Sequence, residues 1–508
     1  MNMINNTLKI LLSGLVILSA ACTDLEVEEQ DSLVIETETG EFGGVNPSSS
    51  LTSAYTDLRA FNTQENLFAL TEVTSDELLV PTRGTDWGDN GVWRTLHQHT
   101  WDATHRDVLG TWNTLNSNVF RLNQLLAPAS NADATQTAEG KFLRAYNMFW
   151  ILDLYGQIPF READQGANVN PSVLSAEEAY NFIEQDLMEA IPDLPEFGPE
   201  GNNIRASKAA GHFLLAKLLL NKHVYLGSEP EASTMDRVIE NVNAIAADGY
   251  SLDQGYFEIF EPSEDSETIL YTDAGVDTRI WNGLHYAQGT PANTGGGWNG
   301  FSTTADFYAL FEGDDDSNTP DSEQEERRGF VPTDGSFYGV GFGFLVGQQY
   351  DDEGNPLTDR VGNPLVFTKD FPGLAGNNER TGIRIIKYHP RDEIQNHLVL
   401  LRYSDAYLMK IEAILRGGSS EDDPLGLLNN LREVRSASPL AEVDLNVVLD
   451  ERGRELYTEG WRRNDQIRFG TFTSPWVFKS DSEDYRKLFP IPSNALATNP
   501  NLVQNPGY

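Results

Sequence analysis

Lys141-Phe142-Leu143-Arg144-Ala145-Tyr146-Asn147-Met148-Phe149-Trp150-Ile151-Leu152-Asp153-Leu154-Tyr155 is the stretch on which the fold turns. Phe142, Ala145, Phe149 and Leu152 recur at three- and four-residue spacings and line one face of a helix. Gly156 closes the run and Pro159 lies just beyond, the expected C-terminal punctuation. Reading outward, the same period predicts helices over 48–61, 106–126, 175–192, 206–226 and 234–247. Beyond the middle of the chain it predicts three more, over 398–415, 424–436 and 445–459. Ser175 with Glu178 three residues on forms a capping box. The 206–226 run is the most apolar, with Phe213, Leu214 and Leu218 inward, and Lys217 burying its stem with its head out.

Successive helical hairpins of this length predict a mainly α fold, a scaffold like stacked tetratricopeptide repeats, although no strict repeat period is visible. From 251 to 396 the pattern changes. Gly, Asn and Asp become dense, and helical periodicity fades except near 304–311. Asp351-Asp352-Glu353-Gly354-Asn355-Pro356-Leu357 and its echo from Gly362-Asn363-Pro364-Leu365 read as two turns between short strands. The expected organisation is a helical scaffold over 46–250 and 397–508, with a loop-rich lobe containing short strands over 251–396. Both belong to one domain, 46–508.

The chain has 508 residues with 36 basic and 77 acidic side chains, for a net charge of −41. That balance excludes a nucleic-acid partner, because phosphate backbones are held by clustered Lys and Arg. Only ten of the basic residues are Lys, a composition that suits salty surroundings. A net charge this negative also predicts a neutral rather than a polyanionic ligand, unless a local Arg patch reverses the sign.

A single cysteine excludes a disulfide framework, a zinc ribbon or an iron–sulfur cluster. Lys9, the apolar run from Ile10 to Leu18 and the small residues Ser19, Ala20 and Ala21 read as a signal peptide over 1–21. Cys22 directly after the small residues is the expected site of lipid attachment, although Ser19 stands where an aliphatic residue is usual. Residues 22–45 then form an acidic tether.

No catalytic signature is present: no Gly-x-Ser-x-Gly elbow, no His-Glu-x-x-His helix and no phosphate loop. His97, His99 and His105 cluster without a clear carboxylate partner and read as polar loop residues. Asp314, Asp316, Asn318 and Glu325 match a calcium-loop spacing, but Thr319 sits where that loop needs Gly, so a solvated acidic loop is expected. No metal and no cofactor are predicted. Paired carboxylates for glycosidic cleavage stay open, since so many acids contain accidental pairs.

The aromatic residues of the Gly-rich loops say more. Trp87 lies between Gly84 and Gly88, Trp298 follows Gly295-Gly296-Gly297, and Trp281 comes shortly before. A Trp in such a loop has few neighbours to bury it, and a flat indole suits the C–H face of a pyranose. Arg83, Asp86, Asp89 and Asn90 surround Trp87 with groups able to bond vicinal hydroxyls. The candidate ligand-binding residues are therefore Arg83, Asp86, Trp87, Asp89, Asn90, Trp281 and Trp298. The competing reading is that these rings plug the interface between scaffold and lobe. Trp93, Trp101 and Trp112 are expected in the core.

Several segments resemble one family in order along the chain. They are Phe142-Leu143-Arg144-Ala145-Tyr146 with Tyr155-Gly156-Gln157-Ile158-Pro159, then Arg205-Ala206-Ser207-Lys208-Ala209-Ala210, then Leu401-Arg402-Tyr403 through Glu412-Ala413. Glu451-Arg452 through Glu459-Gly460-Trp461-Arg462 and Asp465 to Gly470 follow, and Pro490-Ile491-Pro492 with Gln504-Asn505-Pro506-Gly507-Tyr508 ends the series. The chain is similar in these to the SusD/RagB family, the outer-membrane glycan-binding lipoproteins of the Bacteroidetes. Phe469 and Asn464 depart from its usual aromatic positions. The resemblance implies a non-catalytic, lipid-anchored surface protein that captures oligosaccharides and sits as a lid on a SusC-like TonB-dependent outer-membrane barrel. A secreted glycoside hydrolase is the alternative, and a purely structural surface lipoprotein a third reading. From their setting among Glu-rich helices, Arg144, Arg402, Arg435 and Arg454 are expected to form buried Arg–carboxylate pairs.

Overall fold

The computed structural model describes residues 34–36, 42–165, 169–263, 265–320, 324–390 and 396–508. The signal peptide and Cys22 lie outside the described residues, as does most of the predicted tether.

The helix predicted from the opening stretch runs from Ala134 to Tyr155, capped by an Asp133–Gln136 box and stopped by Gly156 at φ 70°. It is buried on nearly every side from Ala138 onward, so it is a central helix rather than an amphipathic surface one. Arg106–Leu126 and Ala176–Ala190 flank it. Lys208–Leu220 packs on Ala176–Ala190 and on Ala232–Ala247. Tyr403–Leu415 continues the stack against Ala232–Ala247 and is covered by Pro424–Val434 and Leu445–Leu456. This is the predicted scaffold of helical hairpins.

Two details differ from expectation. Residues 398–402 are a strand, Leu398–Arg402, paired antiparallel with Thr268–Thr272; the helix starts only at Tyr403. A short, fully buried apolar run has no period of its own, and pairing with a distant strand decides it. Lys217 does not put its head in water. It is 0% exposed, and its ammonium bonds both oxygens of Asp405 at 2.8 and 2.6 Å beneath the Trp461 ring.

Lys217 belongs to one of two buried ionic networks that fasten the C-terminal helices. In the first, Arg452 joins Asp405 and Asp465, each at 2.8 Å, and Arg468 joins Glu412 at 2.7 Å and Asp465 at 2.6 Å. In the second, Glu455 receives Arg402 at 2.7 Å, Arg435 at 2.9 Å and Arg327 at 3.1 Å. Arg402 also reaches Glu459 and Glu267, and Arg454 pairs with Glu451. Arg144 forks onto Asp186 with two bonds of 2.8 Å. Arg144, Arg402 and Arg435 are thus cross-links between elements, as their setting predicted, whereas Arg454 pairs within its own helix.

The lobe is made of short strands and ordered turns. Phe342–Leu345 pairs with Gly329–Phe330 on one side and Arg384–Ile386 on the other. The two repeated turns are superimposable in their bonding. In each, the Asp accepts from the main-chain N–H two and four residues on: Asp351 from Glu353 and Asn355, Asp359 from Val361 and Asn363. Gly354 and Gly362, at φ 80° and 90°, make the bends. The two arcs meet at a hub. Leu357 N–H donates to Gln349, Leu365 N–H to Leu357, and Gln349 N–H to Leu365, each at 2.9 Å, closing a ring of three bonds.

Candidate functional site

Three segments far apart in sequence converge at Trp87: 82–91, 281–302 and 377–384. Leu78–Leu79 pairs with Ser302–Thr303, which brings the first two together. Gly297 N–H to His285 and Asn299 N–H to Leu284 fold the 294–301 loop back along 284–286. Arg83 and Asp86 close a tight turn, and Arg83 also bridges to Asn377.

Trp87 and Trp298 are both half-buried, and the Trp87 indole N–H donates to the Trp298 carbonyl at 2.8 Å. One face of Trp87 lies on Gly300, where any Cβ would overlap the ring. Its edges meet Trp93 at 5.9 Å and Phe301 at 5.7 Å between ring centres. Trp87, Asp89 and Asn90 all have positive φ, at 58°, 35° and 53°, and Gly91 follows at 87°. Each such non-Gly residue costs on the order of 1–3 kcal/mol, and strain of this kind concentrates at binding sites.

The other candidates separate. Asp86 is half-exposed and accepts from the Tyr286 hydroxyl at 2.5 Å. Asp89 is exposed, with its carboxylate on the Trp93 indole N–H at 2.6 Å, and Asn90 stands in solvent. Arg83 and Trp281, read from the sequence as ligand contacts, are not at the surface. Trp281 is 7% exposed because the Gly-rich loop itself covers it, with Trp298 N–H bonding the Trp281 carbonyl at 2.9 Å. Arg83 is 3% exposed, and its guanidinium bonds the carbonyls of Asn299, Asn378 and Thr381 and the Ser302 hydroxyl. Arg384 joins it on Ser302 and Thr381. The two arginines stitch the three loops together from behind.

The sequence reading missed Tyr286, Arg360 and Glu379. Arg360 sits at the tip of the second repeated turn, its Cζ 4.1 Å from the centre of the Tyr286 ring. It bonds Glu379 through Nε, and its Nη2 stands 3.4 Å from Asp86. Burial alone would raise Glu379, but bonds from Arg360 and His285 bring it below the ordinary carboxylate range. Burial lowers His285 to about 4, so it is neutral near pH 7. The signal that could have found Arg360 was the echo itself: the two turns match except at their tips, Asp352-Glu353 against Arg360-Val361.

Elsewhere, Trp93, Trp101 and Trp112 are in the core, and His97, His99 and His105 are buried rather than in polar loops. In the calcium-like spacing, Asn318 and Glu325 are fully buried and bonded to protein groups, which corrects the reading of a wholly solvated loop. Among the described residues no group of three or more His, Cys, Asp or Glu could hold a metal, and no helix is long and apolar enough to cross a membrane.

Comparison with known proteins agrees with this architecture. The family described as "Starch-binding associating with outer membrane" matches residues 42–204, and the SusD family matches 266–508. The starch-binding protein SusD of Bacteroides thetaiotaomicron is 28% identical over 495 residues, covering 87% of this chain and 85% of that protein. A SusD-like protein of Bacteroides fragilis superposes with a TM-score of 0.70 at 19% identity, over 91% of this chain and 96% of that one. Surface glycan-binding protein A of Bacteroides thetaiotaomicron, solved in complex with laminarihexaose, superposes with a TM-score of 0.66 at 19% identity, over 90% and 98%. The SusD family description and its companion thus match the chain on both sides of residues 205–265, and the chain is similar to the SusD/RagB family along most of its length.

Proposed function

We propose that the chain is a non-catalytic, cell-surface glycan-binding lipoprotein of the outer membrane, which captures oligosaccharides and passes them to a TonB-dependent transporter. The observation that carries this reading is the pair of half-exposed indoles, Trp87 and Trp298, tied to each other and bordered by Tyr286, Asp86, Asn90 and Arg360. Rigid aromatic faces beside polar groups that can bond hydroxyls suit a pyranose. The names of the relatives, a starch-binding protein and a protein solved with laminarihexaose, support it.

In this reading Cys22 carries the lipid, the acidic segment after it is the tether, and a SusC-like barrel lies under the binding face. The hydrolase alternative has two carboxylates to draw on, Asp86 and Glu379. Both already face Arg360, and Glu379 is held below its ordinary range, whereas a general acid needs a raised pKa.

The test is calorimetric titration of the purified protein with a panel of oligosaccharides, with product analysis on the same samples. Binding without cleavage is expected. Trp87→Ala and Trp298→Ala should each lose about 1–3 kcal/mol of affinity, by analogy with stacking on bases. Cleavage, or unchanged affinity in the double variant, overturns the reading. Cys22→Ala should release the protein from membranes, and the wild type should co-purify with a barrel.

A further inference from the structure

The net charge of −41 predicts a neutral ligand, yet the candidate site does not share that excess of negative charge. Arg83 and Arg384 lie side by side, 3% and 0% exposed, sharing the Ser302 hydroxyl and the Thr381 carbonyl. Neither has a carboxylate partner among the described residues. A buried guanidinium is ordinarily paired; these two are held only by neutral oxygens, so their charge is not cancelled locally.

Arg360 lies at the surface and is linked to this pair through Glu379, whose side chain it bonds and whose carbonyl accepts from Arg384. Its side chain is 57% exposed, its plane is fixed by the Tyr286 ring and by the Nε bond to Glu379, and Nη1 has no partner among the described residues. Nη2 leans on Asp86 at 3.4 Å, so an incoming carboxylate or sulfate would bond the unpartnered Nη1 and share Nη2 with Asp86. The groups facing it are Tyr286, Asp86, Glu379 and the neutral His285, while Arg380 and Asp359 pair with each other nearby. Arg83, Arg360 and Arg384 thus balance Asp86, Asp89 and Glu379, which leaves the site near neutral in a strongly negative protein. The rest of the negative charge is spread over the molecule and, beyond roughly 8 Å at physiological salt, is screened.

We propose that this site selects a glycan bearing an anionic group, a uronic carboxylate or a sulfate ester, which the Nη edge of Arg360 receives while neighbouring sugar rings lie against Trp87 and Trp298. The inference rests on the glycan-binding reading above and names the class of glycan. It gives the second turn of the repeat a purpose that the first does not share, since the first tip carries Asp352 and Glu353 at the corresponding place.

The test is calorimetry on the full chain at 0.15 M salt with three hexasaccharide pools of matched length: a neutral β-glucan, an oligouronate and a sulfated galactan. The expected result is binding of at least one anionic pool about tenfold or more tighter than the neutral one, the scale of a charge-assisted fork. The two anionic arms separate the carboxylate from the sulfate. In Arg360→Gln the ratio of anionic to neutral affinity should fall close to one, with an unchanged melting temperature, because the side chain is largely in solvent. A neutral pool that binds as tightly as both anionic ones overturns the inference and leaves the glycan-binding reading standing. So does a ratio that survives Arg360→Gln, which would make Arg360 only a clip for its own turn. No binding by any pool overturns both.

Discussion

Replacing Glu455 with Gln removes one charge and almost no volume from the second ionic network. Glu455 is fully buried and faces three guanidinium groups, from Arg327, Arg402 and Arg435, at 3.1, 2.7 and 2.9 Å. Burial alone would raise its pKa, but those three charges drive it well below the ordinary value, so it is ionised in the folded protein. At an effective dielectric of about 20 each pair is worth roughly 4 kcal/mol at a charge separation near 4 Å. Several kcal/mol of that gross attraction are offset by desolvating the carboxylate. Arg327 keeps Glu325 and Glu451, and Arg402 keeps Glu459, but Arg435 is left with Glu267 alone. The net destabilisation should be about 3–5 kcal/mol, the usual cost of breaking a buried pair from one side. Equilibrium urea unfolding at pH 7, followed by both circular dichroism and tryptophan fluorescence, measures it. A loss below about 1 kcal/mol would refute the view that the network holds these helices together. The double variant with Arg435→Met should recover part of the loss, since removing both partners leaves less charge stranded.

Acid should act on the same networks. Burial would raise Glu412, Glu451 and Asp465, but the arginines around them hold each near about 2, so their contribution is full above the ordinary carboxylate range and is lost as pH falls from about 4.5 toward 2. A pH titration by circular dichroism should put the acid transition in that window; unfolding complete by pH 5 would contradict it. Gly300→Ala should displace the Trp87 indole and cut affinity for the bound oligosaccharide at least tenfold, with a stability cost of about 1–3 kcal/mol, the range for overpacking. Wild-type affinity in that variant would show that Trp87 is not the platform.

The scaffold was legible because a helix writes its buried face into a local period. The 106–126 helix could be read to the residue, and the cross-linking arginines announced themselves by their Glu-rich surroundings. The strand Leu398–Arg402 was not legible: its partner lies more than a hundred residues earlier, and five consecutive apolar or long side chains suit a buried helix equally. At the candidate site the two Trp-bearing loops do meet, but Arg83 and Trp281 are buried where the sequence suggests exposure. A Gly-rich loop has few side chains to cover a neighbour, yet by folding back on 281–286 it covers Trp281 with its own main chain. Arg83 looked like a surface donor because its carbonyl partners come from residues 299, 378 and 381. Tyr286 and Glu379 carry no local signal, and only Arg360 was marked, by the one difference between two otherwise matching turns.

The hub formed by Gln349, Leu357 and Leu365 is joined by main-chain bonds and by the Gln348 amide on the Gln349 and Leu357 carbonyls, and each arc is closed by its own Asp, Gly and Asn. The tip positions 352, 353, 360 and 361 stand in solvent, and Glu353 adds to its own arc only by accepting from the Asn355 amide at 3.2 Å. Substitution at such positions normally changes stability by no more than about 0.5 kcal/mol. On the proposed role of Arg360, what the protein prefers to bind can therefore change by one or two codons at a time without risking the fold, so selectivity and foldedness rest on different residues of the lobe.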